Sequence, residues 1–302
     1  MTYQAGTISD DQTSLPQLPD WVISGCAETR ENVAFLSGAA LSHLHLVVGH
    51  PGVPQSLLRE RLALGAAEAC MVRAGRPERA GDLRDAVGFL QPEDTPGPAG
   101  EVFLSWRRAV ERPVSVKALH RALPTLAPEQ IADWLDGRGP RGAGQGGPVA
   151  RSAAILEIVL AEKPREEVAA LILADAVLAQ SLGWKHLVPL LSAGLKRGEL
   201  RKTGADFWLA CHRALVASSV ETTRLAADLA RRGGRLQAVA PILRAKGAGA
   251  AVALLLEHDS VAPAALTSLS SDRAARRFCD RLVELGVARE LTGRDTFRLY
   301  GL

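Results

Sequence analysis

The chain has 302 residues, 47% of them hydrophobic and 23% charged, too apolar for a disordered protein and long enough for one large domain or several smaller ones. Aromatic residues make up only 4%, while Ala and Leu together contribute about 30%, a bias toward strong helix formers that argues against an all-β sandwich or barrel. Lys and Arg number 36 against 33 Asp and Glu, a net charge of +3, so no strong global field draws the whole molecule to a polyanion and any nucleic-acid surface must be local.

The first twenty residues are polar, with Asp10, Asp11 and Asp20 and no apolar h-region, so no secretory signal is expected. Residues 31–48 place Val33, Leu36, Ala40, Leu44 and Val47 at helical spacing, and 56–74 repeat the pattern through Leu58, Leu62 and Ala69. Pro77 opens a further helix to about Leu90, and the Pro/Gly cluster 91–100 ends it before 101–111 starts another with Phe103, Trp106 and Val110. Short helices follow over 114–123 and 128–135. The stretch GRGPRGAGQGG, 137–147, has no apolar periodicity and reads as a flexible connection. Beyond it, 149–160, 165–182 and 185–193 are helical in pattern. The long segment 205–232 aligns Leu209, Val216, Val220 and Ala227 on one side and Glu221, Arg224, Asp228 and Arg231 on another, as in the central helix of a bundle.

The last fifth is the informative part. Residues 247–257 form a short apolar-striped helix, 260–262 an extended link, and Pro263 starts a second helix where its missing N–H is harmless. Ser270 or Ser271 caps a third helix running to Leu285, Asp272 favours its positive end, and Gly286 supplies the left-handed stop. Ala275, Phe278, Leu282 and Leu285 turn one face inward, leaving Arg273, Arg276, Arg277 and Arg281 outward. Residues 287–291 and 296–300, joined by a tight turn at 292–295, read as a two-stranded hairpin with Phe297 and Leu299 facing the core. Helix, helix, helix, hairpin is the order of a winged helix-turn-helix.

The reading is therefore all-α: a polar segment over 1–30, an N-terminal helical domain over 31–136, a Gly-rich linker over 137–148, a middle bundle over 149–243, and a winged helix-turn-helix with a small β-hairpin wing over 244–302. In such a module the third helix enters the major groove with its N-terminal residues at base edges, while the wing touches the backbone or minor groove. Ser271, Arg273, Arg276, Arg277 and Arg281 sit on that helix, Arg294 at the wing tip and Arg298 on the outward face of the last strand. Three arginines near a positive helix end run against the macrodipole by a few tenths of a kcal/mol each, roughly, which invites a functional reading. The bland reading is a salt-bridged solvent face, since Asp272 with Arg276 and Arg276 with Asp280 are i,i+4 pairs and Glu284 lies near Arg281.

The run DRAARRFCDRLVELGVARELTGRDTFRLYGL, 272–302, resembles the C-terminal winged helices attached to bacterial Fic-type proteins. The Fic catalytic signature, a His-Pro-Phe run with a downstream Gly-rich anion loop, is absent, so the resemblance implies no AMP transfer. Through RLALGAAEACMVRAGRPERAGDLRDAV (61–87), LADAVLAQSLGW (173–184), LRAKGAGA (243–250) and that ending, the whole chain is similar to a bacterial family catalogued as domain-of-unknown-function family fourteen-zero-three, often seen on plasmid-type replicons. That family implies no assigned activity.

Catalytic features are weak. Cys26, Cys70, Cys211 and Cys279 are far apart with no CxxC pairing, which reads as reduced, buried thiols without zinc or disulfides. His258-Asp259 is a dipeptide that helps bind metal in helical phosphohydrolases, yet a polar pair before a turn is the simpler reading. His43 and His45 fall on different helix faces, Cys211 and His212 are adjacent and cannot easily orient on each other, and Glu166, Glu167, Asp175 and Asp206 lack the Glu-x-x-His pairing of di-iron bundles. No Ser-His-Asp set stands out. The expectation is a cytoplasmic, cofactor-free, non-enzymatic protein of regulatory or plasmid-maintenance type, with no membrane segment, that contacts duplex DNA through its winged helix while the helical body oligomerises or binds a partner. Two alternatives remain: a winged helix docking on another protein, as in a chromosome-organising assembly, and a metal-dependent phosphohydrolase centred on His258 and Asp259.

Overall fold

The computed structural model describes residues 15–25, 29–91, 93–137, 146–294 and 296–302. The turn residue Asp295, Cys26 and most of the Gly-rich connection lie outside them. The N-terminal half carries α1 (Asp20–Ile23), α2 (Arg30–Val48), α3 (Gln55–Arg73), α4 (Ala80–Gly88), α5 (Gly97–Glu111), α6 (Val116–Ala122) and α7 (Pro128–Leu135). There follow α8 (Pro148–Glu162), α9 (Glu167–Ser181), α10 (Leu191–Gly194), α11 (Gly204–Val239), α12 (Ala248–Glu257) and α13 (Asp272–Glu284), with β1 (Arg289–Glu290) and β2 (Tyr300–Gly301) at the end. The chain is thus mostly helical, and its one sheet among the described residues is the antiparallel β1–β2 pair.

Local chemistry sets the helix starts. The Thr29 and Ser115 hydroxyls accept the amides of Asn32 and Ala118, each at 3.2 Å, while Pro128 and Pro148 occupy first-turn positions where no amide is missed. In α4 the helix begins three residues later than Pro77 suggests. The Asp82 carboxylate accepts the Arg79 amide at 2.8 Å, and this one-way cap fixes Arg79 as the boundary.

Residues 185–193 depart from the helical expectation. Only Leu191–Gly194 is helical, and the chain ahead of it runs irregularly through the interior with Leu187, Val188 and Leu190 buried. Buried backbone needs partners, and side chains from elsewhere supply them. Asp175, fully buried on α9, accepts the amides of Leu190, Leu191 and Ser192 at 3.2, 2.8 and 3.3 Å. Arg73, buried at the end of α3, donates to the carbonyls of Ser192 and Leu195 at 2.6 and 3.1 Å. An anion at the start of this one-turn helix and a cation at its end match the dipole of the backbone.

The helix at the centre of the packing is α9. Every residue from Ala169 to Ala179 is buried, which requires a helix apolar all round, and the one charge in that stretch is Asp175 in its capping role. By contrast α11, which runs alongside α2, keeps a solvent face. Its buried side is Phe207, Ala210, Cys211, Leu215, Val220, Ala226, Leu229 and Leu236, so of the expected stripe Val220 is buried, Leu209 and Val216 are half-buried and Ala227 is exposed. The stripe read from the sequence sits to one side of the true one. A continuous set of buried side chains extends from Leu15 to Leu302, with Trp106 and Phe207 its largest fully buried members.

At the C-terminal end, α12 leads to Val261, which pairs with Tyr300 through two backbone hydrogen bonds of 2.8 and 2.9 Å. Pro263 starts only a 3₁₀ turn, Pro263–Ala265, instead of a second full helix. Thr267 and Ser268 follow at once, and such residues compete with helix by bonding nearby backbone. The Ser268 hydroxyl donates to the Gly247 carbonyl at 3.1 Å, and a Cβ at 247 would stand 2.0 Å from the Ser268 carbonyl oxygen, so only glycine, here with φ of 88°, fits that crossing. The hairpin is shorter than expected: Arg289 pairs with Gly301 and Glu290 with Tyr300. Leu299 is buried as anticipated, but Phe297 is 73% exposed. A φ of 55° at Phe297 breaks the strand alternation that would have put both side chains on one face.

Candidate functional site

The α13 helix is the best-delimited element of the chain. The Ser271 hydroxyl accepts the Ala274 amide at 3.3 Å, Asp272 lies in the first turn, and Gly286 closes the end with φ of 68°. Ala275, Phe278, Cys279 and Leu282 are buried and Leu285 half-buried, so the inward face matches the sequence reading with Cys279 added. On the other side Arg273, Arg276, Arg277 and Arg281 are exposed.

Their pairing is uneven. Arg281 binds Glu284 at 3.0 Å, and among the described residues Arg273, Arg276 and Arg277 enter no ion pair. The i,i+4 bridges that would make this a plain solvated face, Asp272 to Arg276 and Arg276 to Asp280, do not form. Asp280 instead accepts the Tyr300 hydroxyl at 3.3 Å. The wing arginines are engaged differently. Arg294 makes an ion pair with Asp85 of α4 and lies over the Phe89 ring, 5.9 Å from its centroid, while Phe297 meets the same ring edge-on at 5.9 Å. Arg298 donates to the Arg294 carbonyl at 2.9 Å. The hairpin turn is thus held against the helical body.

The His258-Asp259 dipeptide performs a similar job from within. Asp259 is 2% exposed and binds both Arg61 of α3 and, at 2.6 Å, Arg84 of α4. Beside it Glu60 binds Arg107 at 2.9 Å, His258 Nδ1 at 3.0 Å and the Asp259 amide at 2.9 Å, and Arg61 donates to the Leu302 carbonyl at 3.2 Å. Burial alone pushes the Glu60 carboxyl up, but the His258 hydrogen bond and the Arg107 charge outweigh it and hold Glu60 below the usual carboxylate range. That same hydrogen bond from Glu60, working against burial, raises His258 above the ordinary histidine value. These carboxylates and the imidazole are committed to cations and to each other, and no group of three His, Cys, Asp or Glu among the described residues could hold a metal ion. The partners of Asp259 lie some 175 positions away, which no local pattern could have revealed.

The described thiols are buried. Burial pushes Cys211 and Cys279 up to about 12 and also raises Cys70, so none offers a thiolate at neutral pH. His212 and His45 were set aside as isolated in the sequence reading, yet each has a distant partner. Ser37 Oγ lies 2.5 Å from His212 Nδ1, and the Trp184 indole donates to His45 Nδ1 at 2.9 Å. No helix among the described residues is long and apolar enough to cross a membrane.

These features define a mostly helical protein whose C-terminal segment is clamped to the body by buried charges and carries unpaired arginines on its outer helix. The chain belongs to the family described as protein of unknown function (DUF1403), which it matches over residues 6–302. No curated protein matches it. The family match bears on neither an activity nor the likeness to Fic-attached winged helices.

Proposed function

We propose that the protein binds duplex DNA through α13, with residues 248–302 acting as a winged helix. The observation that carries this reading is the set Arg273, Arg276 and Arg277, exposed and, among the described residues, without ion pairs near the N-terminal end of a capped helix. Helix electrostatics disfavours cations there, and a phosphate backbone would offset that cost. The order α12, the Val261 bridge, a 3₁₀ turn, α13, β1 and β2 supports the winged-helix reading, with its second helix reduced to a single turn. Ser271 is occupied as the helix cap, and Arg294 and Arg298 brace the wing, so the working contacts reduce to Arg273, Arg276 and Arg277, with Arg281 at the flank.

Docking on a protein is the second reading. A protein-facing helix would carry several exposed apolar residues, and α13 offers Val283, 38% exposed. Binding of a labelled random-sequence duplex across a salt series tests the choice, comparing wild type with the triple variant Arg273→Ala, Arg276→Ala, Arg277→Ala. The expected result is a steep salt slope in wild type that falls by about three in the variant, close to one unit for each phosphate contact removed. No binding at low salt by wild type removes the DNA reading and leaves protein docking.

A further inference from the structure

A groove of about 560 Å³ opens between α2, the start of α8, the end of α9 and the first third of α11. Its size is that of a small-molecule pocket. Among the described residues no Asp, Glu, Lys or Arg side chain lines it. The walls are apolar, including Leu41, Leu46, Val149, Leu182 and Trp208, and the polar groups gather around Ser37, Ser42, His45 and His212.

The hydrogen-bond network assigns the protons on both imidazoles. Ser37 Oγ is 3.0 Å from the Ala34 carbonyl and 2.5 Å from His212 Nδ1. One hydroxyl proton serves both contacts only if Ser37 donates to Ala34 and His212 Nδ1–H donates to Ser37. Nε2 of His212 is then a lone-pair acceptor, and it has no partner among the described residues. Burial lowers His212 to about 4, so the ring is neutral at pH 7 and keeps that lone pair. Trp208 packs on the imidazole at 4.0 Å and fixes its plane. His45 is the converse case. Its Nδ1 accepts the Trp184 indole proton, so its Nε2 carries a hydrogen and is a donor.

We infer that this groove binds an uncharged, largely apolar small molecule carrying a hydroxyl or amide N–H, which donates to His212 Nε2. A charged ligand finds no counter-charge among the described lining residues and would leave water at a cost. The inference is independent of the DNA reading, because none of these residues lies in α12, α13 or the wing.

Three probes of one shape separate the terms: 2-naphthol, naphthalene and 2-naphthoate, titrated by ligand-observed NMR into the full chain. The expected result is saturable one-to-one binding of 2-naphthol, at least tenfold weaker binding of naphthalene, and none of naphthoate. Gly38→Trp fills the groove, since a side chain at 38 meets open space, and should abolish binding of both neutral probes while far-UV circular dichroism stays unchanged. If that variant fails to fold, Ser42→Trp on the exposed rim replaces it. His212→Phe keeps the ring packing against Trp208 and should erase the preference for 2-naphthol over naphthalene. Failure of wild type to bind 2-naphthol, equal binding by the groove-filled variant, or a preference that survives His212→Phe each overturns the inference.

Discussion

Arginine is used in two ways on opposite sides of the C-terminal segment. On the side facing the body, Arg61 and Arg84 converge on the buried Asp259, and Arg107 on Glu60. On the outer side Arg273, Arg276 and Arg277 project from α13 without partners. Solvation explains the contrast. A cation removed from water needs an anion beside it, so the inner arginines come matched to carboxylates, whereas an exposed one is satisfied by water and stays available. Where the two sets meet, at the C-terminal hairpin, Arg294 is committed to Asp85 although half its side chain is exposed.

The comparison breaks first at Asp259. Asp259→Ala strands two partly buried guanidinium groups, and urea unfolding should report a loss of about 3–5 kcal/mol. Arg84→Ala leaves Arg61 to hold the carboxylate, so the same measurement should give a smaller loss, about 1.5–3 kcal/mol, the worth of hydrogen bonds to a charged group. Arg294→Ala removes a half-exposed pair and a cation–π contact and should cost no more than about 1 kcal/mol.

The pH dependence sharpens the same contrast. His258 has its value raised in the folded protein by Glu60, so its contribution is complete below the ordinary histidine value and disappears as pH rises through the raised one. The melting-temperature gap between wild type and His258→Gln should therefore narrow as pH rises above the ordinary histidine value. Smallest of all, the triple Arg273, Arg276, Arg277 variant should stay within about 0.5 kcal/mol of wild type, even where it loses DNA. A large destabilisation there would mean that the outer arginines are structural after all.

Legibility in the sequence followed the range of the deciding interaction. Helix α7 and the cap, stop and inward face of α13 were readable because Pro128, Ser271, Gly286 and the apolar spacing act within a turn or two. Residues 185–190 read as helix because their composition allows it. What prevents it is Asp175 on α9 drawing on the amides of 190–192, with Arg73 of α3 holding the carbonyls beyond. His258 and Asp259 were visible as a polar pair, but their meaning lay in Glu60, Arg61 and Arg84. Ser37 and His212 stand 175 positions apart, so their contact had no local signal. The Phe297 error was of another kind, since a single residue with positive φ overrode an alternation that was otherwise sound.

The 36 residues of α11 make a rod about 54 Å long. Near one end it carries Trp208 and His212, and near the other Arg232 and Arg235 stand beside Val287 and Arg289 of the C-terminal segment. A single beam therefore touches both places. Gly233 lets the far end pass close to α12, where a Cβ would stand 3.3 Å from the Leu256 side chain. In mechanical terms the helix is one strut shared by the groove and the C-terminal segment.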